Sequence, residues 1–172
     1  MTFMELAEQR YSVRHYKDQP VEEEKIQKIL QAGNLAPSAF NYQPQKIYVL
    51  RSEEAKEKLR SVTRMLYDAP IAFVVCYDEN VSWKNTVTTF GQDYDGGEMD
   101  NCVTGTYMMM EATELGLGTC WVRGFNTDAI HDALGLPENI KVSFIMDCGY
   151  ESETSTRHNA KKKSVEETTE YL

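Results

Sequence analysis

The densest apolar pattern lies between Gly97 and Phe125, and its period changes partway along. Over 97–115, Met99, Cys102, Val103, Thr106, Met110 and Thr113 recur at the spacing of one helix face. Tyr107, Met108, Met109, Ala112 and Leu115 fill most of the remaining circumference, and a helix apolar nearly all round is a buried one. Glu98 and Asp100 suit the positive end of the helix dipole, and Gly116 suits the C′ position. Gly105 in mid-helix costs about 1 kcal/mol relative to Ala, which predicts close packing of another element there. Thr119 to Val122 then reads as a short buried strand that Gly124 ends.

The flanking sequence supplies the partners for this core. Residues 3–9 read as a short helix with Phe3, Leu6 and Ala7 inward. Glu22, Glu23 and Glu24 load the first turn of a helix whose inner face is Ile26, Ile29, Leu30 and Gly33, ending before Pro37. Lys46–Leu50 and the apolar run Ile71–Cys76 are strands, with a Ser52-capped helix to about Val62 and a connection over Met65–Asp68 between them. A helix capped by Asn126 or Thr127 runs through Leu134, and Lys141–Cys148 alternates as a strand, with Ile145 breaking the rule. Residues 78–96 have no period and carry Trp83, Phe90 and Tyr94; they read as a lid or substrate wall, or equally as packing filler. From Glu151 the tail is polar, yet Val165, Tyr171 and Leu172 leave it something to dock with.

Composition narrows the class. A chain of 172 residues with no linker, repeat or low-complexity tract is read as one domain over its whole length. A net charge of −9 argues against nucleic-acid binding, and the lack of an apolar run of membrane length argues against a membrane span. The N-terminus has no signal-peptide pattern, and the four cysteines form no CxxC pair, so a reducing, cytoplasmic setting is expected. Three isolated histidines offer no metal-ligand spacing, and no metal is expected.

Against that acidic background two basic clusters stand out: Arg10 with Arg14, and Lys161–Lys163. If 10–14 is extended, Arg10, Ser12 and Arg14 point to one side and Tyr11 and Val13 to the other. Two guanidiniums and a hydroxyl make a phosphate-sized donor array; the alternative is a solvated charged face. The loop Ala36–Pro44 is bracketed by prolines and supplied with Ser38, Asn41 and Gln43, so it is either a rigid binding loop or an ordinary turn.

RYSVR at 10–14, APSAFNYQP at 36–44 and LGLGTCWVRGF at 115–125, in that order, resemble the nitroreductase family of FMN-dependent oxidoreductases. The resemblance implies an α+β fold, a central mixed or antiparallel sheet of four to five strands wrapped by helices, and an intertwined homodimer with flavin sites at the interface. It implies that Arg10, Tyr11, Ser12 and Arg14 hold the FMN phosphate and ribityl chain, with Lys161 and Lys163 from the 151–172 extension completing the phosphate site. Pro37, Ser38, Ala39, Phe40 and Asn41, with Gln43 on the same wall, would come from the other subunit. Cys120, Trp121, Val122, Arg123 and Gly124 would lie along the flavin ring, and Arg64 would face its pyrimidine edge. No catalytic side chain is expected, because the flavin carries the hydride. The implied activity is NAD(P)H-dependent reduction of small electron-poor acceptors such as nitroaromatics, quinones or enones, by a ping-pong route. Dehalogenation, flavin fragmentation, metabolite dehydrogenation and FMN storage or sensing are the alternatives.

Overall fold

Four strands carry the core: β1 (Gln45–Leu50), β2 (Ile71–Asp78), β5 (Gly118–Val122) and β6 (Ile140–Gly149). The computed structural model describes residues 1–64, 66–86, 93–158 and 161–172. Met65 and Phe90, which figured in the connection before β2 and in the aperiodic stretch, lie outside them. Among the described residues the sheet order is β1-β2-β6-β5, and all three neighbouring strand pairs are antiparallel.

Both faces of this sheet are covered, which is why β2 is a continuous apolar run rather than an alternating one. Ile71, Phe73 and Val75 face a cluster that includes Ile26 and Ile29 of α2 (Glu23–Leu35) and Met108 and Ala112 of α4 (Gly97–Glu114). Ala72, Val74 and Cys76 face the opposite cluster, with Leu59 of α3 (Glu53–Arg60) and Ile130 of α5 (Thr127–Leu134). The period-2 alternation of a strand thus feeds two cores at once.

β6 changes parity partway along. Val75 pairs with Phe144 but Cys76 pairs with Val142, so Ser143 is the extra residue of a bulge. Val142 therefore faces the α3/α5 side, while Phe144, Met146 and Cys148 face the α2/α4 side. Ile145, the residue that broke the alternation, is buried on the α3/α5 side.

Two helix faces depart from expectation. α1 (Phe3–Gln9) has no buried residue; Leu6 and Ala7 are half-buried and Phe3 is exposed. The inward face of α4 is Gly97, Asp100, Asn101, Thr104, Gly105, Met108, Ala112 and Thr113. Met99 is 59% exposed and Tyr107 43%, with Cys102 and Thr106 also exposed. Small residues win the inward face because the sheet comes so close: a Cβ on Gly105 would collide with the Phe144 ring and crowd Trp121. Asn101, wholly buried, donates its amide to the Ser143 hydroxyl at 2.8 Å.

The stretch 78–96 is not wholly irregular. β3 (Lys84–Asn85) and β4 (Tyr94–Asp95) pair as a short antiparallel ribbon, with an ion pair between Lys84 and Asp95. At the other edge, residues 12–17 stitch the ends of β5 and β6. The Val13 amide donates to Thr119 O at 2.9 Å, Lys17 to Tyr150 O at 2.8 Å, and Ser152 to His15 O at 2.9 Å. Residues 161–172 are all exposed, Val165, Tyr171 and Leu172 included.

Candidate functional site

Val13 is the anchor of the Arg10–Arg14 segment. It is buried against Gly118, where any Cβ would meet its side chain, and its amide is tied to β5. Alternation about that anchor turns Ser12 and Arg14 outward, into a cleft of about 950 Å³. Arg10, Tyr11, Ser12, Arg14, Arg157, His158, Lys161 and Lys162 line it. The segment ends that stood far apart in sequence therefore meet. Tyr11 lines the same cleft, contrary to simple alternation, because its hydroxyl turns to donate to Glu151 and lies 3.2 Å from that of Ser155.

Among the described residues, none of the five cations Arg10, Arg14, Arg157, Lys161 and Lys162 has a carboxylate partner within ion-pair distance. Arg14 donates to Ser12 O at 3.3 Å and lies over the Tyr67 ring at 5.8 Å. Arg157 donates to Glu8 O at 2.5 Å and lies over the Tyr11 ring at 5.7 Å. Five cations against one acidic residue of the lining, Glu8, leave the cleft with a local excess of positive charge in a chain of net charge −9, and guanidinium forks suit phosphate oxygens. Lys163 stands outside the lining, whereas Lys162 and Arg157 are inside it. Arg157 carried no signal in the sequence, since the tail around it has no period.

The proline-bracketed loop is held rigidly. Ala36 and Pro44 are buried at its ends, and Ala39–Asn41 forms a single 3-10 turn after Pro37. The Ala39 amide donates to Asp100 Oδ1 at 3.0 Å, and the Gln43 amide to Ser38 Oγ at 2.9 Å. Phe40, Asn41 and Gln43 take φ of 50°, 58° and 52°, left-handed conformations that non-glycine residues adopt only when their surroundings hold them. The result is display: Phe40 is 76% exposed, its ring 6.3 Å from that of Trp83 and 5.9 Å from that of Tyr42. This loop rests on Asp100 near the start of α4, whereas Arg10 reaches Met109 nine residues on, about 14 Å further along the helix. Within one chain the loop and the basic cleft do not meet.

Past the loop, Cys120 and Val122 direct their side chains into the α3/α5 core, and burial pushes the Cys120 thiol up to about 11. Trp121 faces the other way and stacks on Phe144, centroids 3.6 Å apart. Arg123 and Gly124 lie beyond the last β5–β6 pair, Val122–Ile145. Both are exposed, with Arg123 paired to Glu98 at 2.8 Å. Arg64 is exposed and stands outside the cleft lining; Tyr67, three residues on, is the residue that touches Arg14. Among the described residues no helix is long and apolar enough to cross a membrane.

The nitroreductase-family sequence profile matches residues 7–69 and 63–150, most of the chain. A relative from Archaeoglobus fulgidus, provisionally named NADH dehydrogenase/NAD(P)H nitroreductase, is 34% identical over 148 residues, covering 82% of this chain and 80% of that one. A crystal structure of a nitroreductase family protein from Clostridium difficile 630 superposes with a TM-score of 0.91 at 37% identity, covering 99% and 98% of the two chains. An FMN-dependent nitroreductase from Clostridium difficile R20291 superposes with a TM-score of 0.74 at 29% identity, covering 91% and 92%. The three motifs, the covered antiparallel sheet and these likenesses agree: the chain belongs to the nitroreductase family.

Proposed function

We propose that this chain is an FMN-dependent oxidoreductase that uses NAD(P)H to reduce small electron-poor acceptors. The observation that carries the reading is the basic cleft: five cations without carboxylate partners among the described residues, gathered from both ends of an acidic chain. An FMN phosphate, with nearly two negative charges, fits that donor set. Arg10, Ser12 and Arg14 hold it from one side, and Arg157, Lys161 and Lys162 from the other. The exposed backbone of Arg123 and Gly124, beyond the strand ladder, is the ledge along which the ring would lie, while Cys120 and Val122 support it from within the core.

When bound, FMN supplies the chemistry: hydride uptake from NAD(P)H and delivery to a nitroaromatic, quinone or enone in two separate half-reactions. The protein's part is to bind, orient and set charge, and no side chain acts as nucleophile or general base. A second copy of the chain supplies the missing wall. The exposed apolar face of α4, with Met99, Cys102 and Tyr107, suits a twofold contact, and the rigid Phe40 loop at the N-terminal end of the same helix is the part a partner's cleft lacks.

An anaerobic absorption spectrum tests the reading. A yellow protein that bleaches on addition of NADH or NADPH is the expected result. A yellow protein that does not bleach would move the assignment to flavin storage or sensing. A colourless protein that also fails to bind added FMN would remove the cofactor altogether.

A further inference from the structure

A carboxyl sits in the middle of the sheet with half its bonding capacity unused. Asp147 on β6 is wholly buried, opposite Cys120 on β5 and Ala72 on β2. The parity change at Ser143 places it on the α3/α5 side, where Leu50, Val74 and Val122 would favour an apolar residue. Its Oδ2 accepts the Tyr67 amide at 3.1 Å, while Oδ1 is buried with no hydrogen-bond partner among the described residues. A void of about 10 Å³ opens beside it, bordered by Lys56, Arg60 and Asp68. Burying a carboxyl costs free energy that an apolar residue would avoid, so its presence points to the bond it makes.

That bond leads to the cleft. The amide that Asp147 fixes belongs to the residue whose ring lies 5.8 Å from the Arg14 guanidinium, within cation–π reach. The segment around it is irregular, and Asp68 takes a φ of 54°, so the ladder hydrogen bonds of a strand do not hold Tyr67 in place. Arg14 is otherwise steadied by the Ser12 carbonyl at 3.3 Å.

We propose that Asp147 is a positioning residue for the basic cleft: by holding the Tyr67 amide it fixes the ring on which Arg14 rests, and so sets the cleft's affinity for a phosphate-bearing ligand. This rests on the reading of the cleft as the FMN phosphate site. Desolvation raises the Asp147 carboxyl to about 7, so its charge changes near neutrality. The groups around it are the Tyr16 phenol, the Cys120 thiol, Asp68, Lys56 and Arg60, with the Cys148 thiol next in the strand on the opposite face and Arg14 behind Tyr67. Burial pushes the phenol and both thiols upward, away from neutrality, so these do not titrate with it. The carboxylate accepts the Tyr67 amide more strongly than the neutral acid does, so the cleft is best ordered above pH 7.

The test is FMN titration of the flavin-stripped full chain, read by quenching of flavin fluorescence between pH 6 and 8.5. Asp147→Leu, of the same branched shape but apolar and somewhat larger, should weaken binding roughly fivefold, the worth of one exposed cation–π contact. In an Arg14→Ala background the same change should cost less than about twofold, because it acts through Arg14. Asp147→Asn keeps an acceptor for the amide; it should match wild type at pH 6 and fall behind as pH rises through 7. Unaltered affinity in a folded Asp147→Leu protein, an additive double variant, or a ratio of Asn variant to wild type that is flat with pH would each overturn the proposal. Should the Leu variant not fold, the pH comparison with Asn decides alone. If Arg10→Ala and Arg14→Ala both bind FMN like wild type, the cleft reading fails first and takes this inference with it.

Discussion

At the scale of single residues, two positions show how close packing and burial set opposite demands. Gly105 has no room for a methyl group, so Gly105→Ala should lose more through overpacking, about 1–3 kcal/mol, than it gains in helix propensity. A lower urea midpoint with altered Trp121 fluorescence is the expected readout, since Trp121 is one of the rings displaced. Asp147 works the other way. Its folded-state carboxyl is raised to about 7, so between about pH 4 and 7 the folded chain keeps a proton that the unfolded chain has released. That stability is full below the unfolded value and declines as pH rises to 7, by on the order of 4 kcal/mol. Thermal unfolding of Asp147→Asn should lack the decline, matching wild type near pH 5 and exceeding it near pH 8. A variant more stable at pH 8 yet poorer at binding FMN there would show core stability given up for function.

At the scale of elements, the strands and helices were legible because their periods are strong, and the faces were less so. Apolar residues fall on every side of α4, so periodicity cannot choose a side. The approach of Phe144 and Trp121 to Gly105 chooses it, and that is a property of the partner strand. Bulges are equally silent in sequence: nothing marks Ser143 as the extra residue, and an alternation that sets Val142, Phe144 and Met146 on one face gives no sign that the opposite face, where Asp147 lies, is covered as well. The Arg10–Ser12–Arg14 side of the cleft followed from alternation about a buried Val13, whereas Arg157 sits in a stretch with no period to read. The exposed face of α4 carries its own expectation. Tyr107→Lys should weaken a twofold contact, with light scattering reporting a mass that falls toward that of one chain, while an unshifted mass would leave that face without a partner.

At the scale of the whole molecule, charge and shape divide the labour. The acidic surface repels anions generally, and one positive cleft concentrates them locally. FMN affinity should therefore fall steadily as salt rises from low to several tenths molar, an effect an uncharged pocket would not show. The Arg10–Met109 contact and the Asp100–Ala39 bond stand at different heights on one eighteen-residue helix about 27 Å long. That spacing turns binding into a matter of mass action. If each cleft is walled by the other chain's Phe40 loop, a lone chain holds two half-sites and no whole one. Dilution alone would then strip the flavin, on a curve steeper than single-site binding, and FMN in excess would bind the two chains to each other.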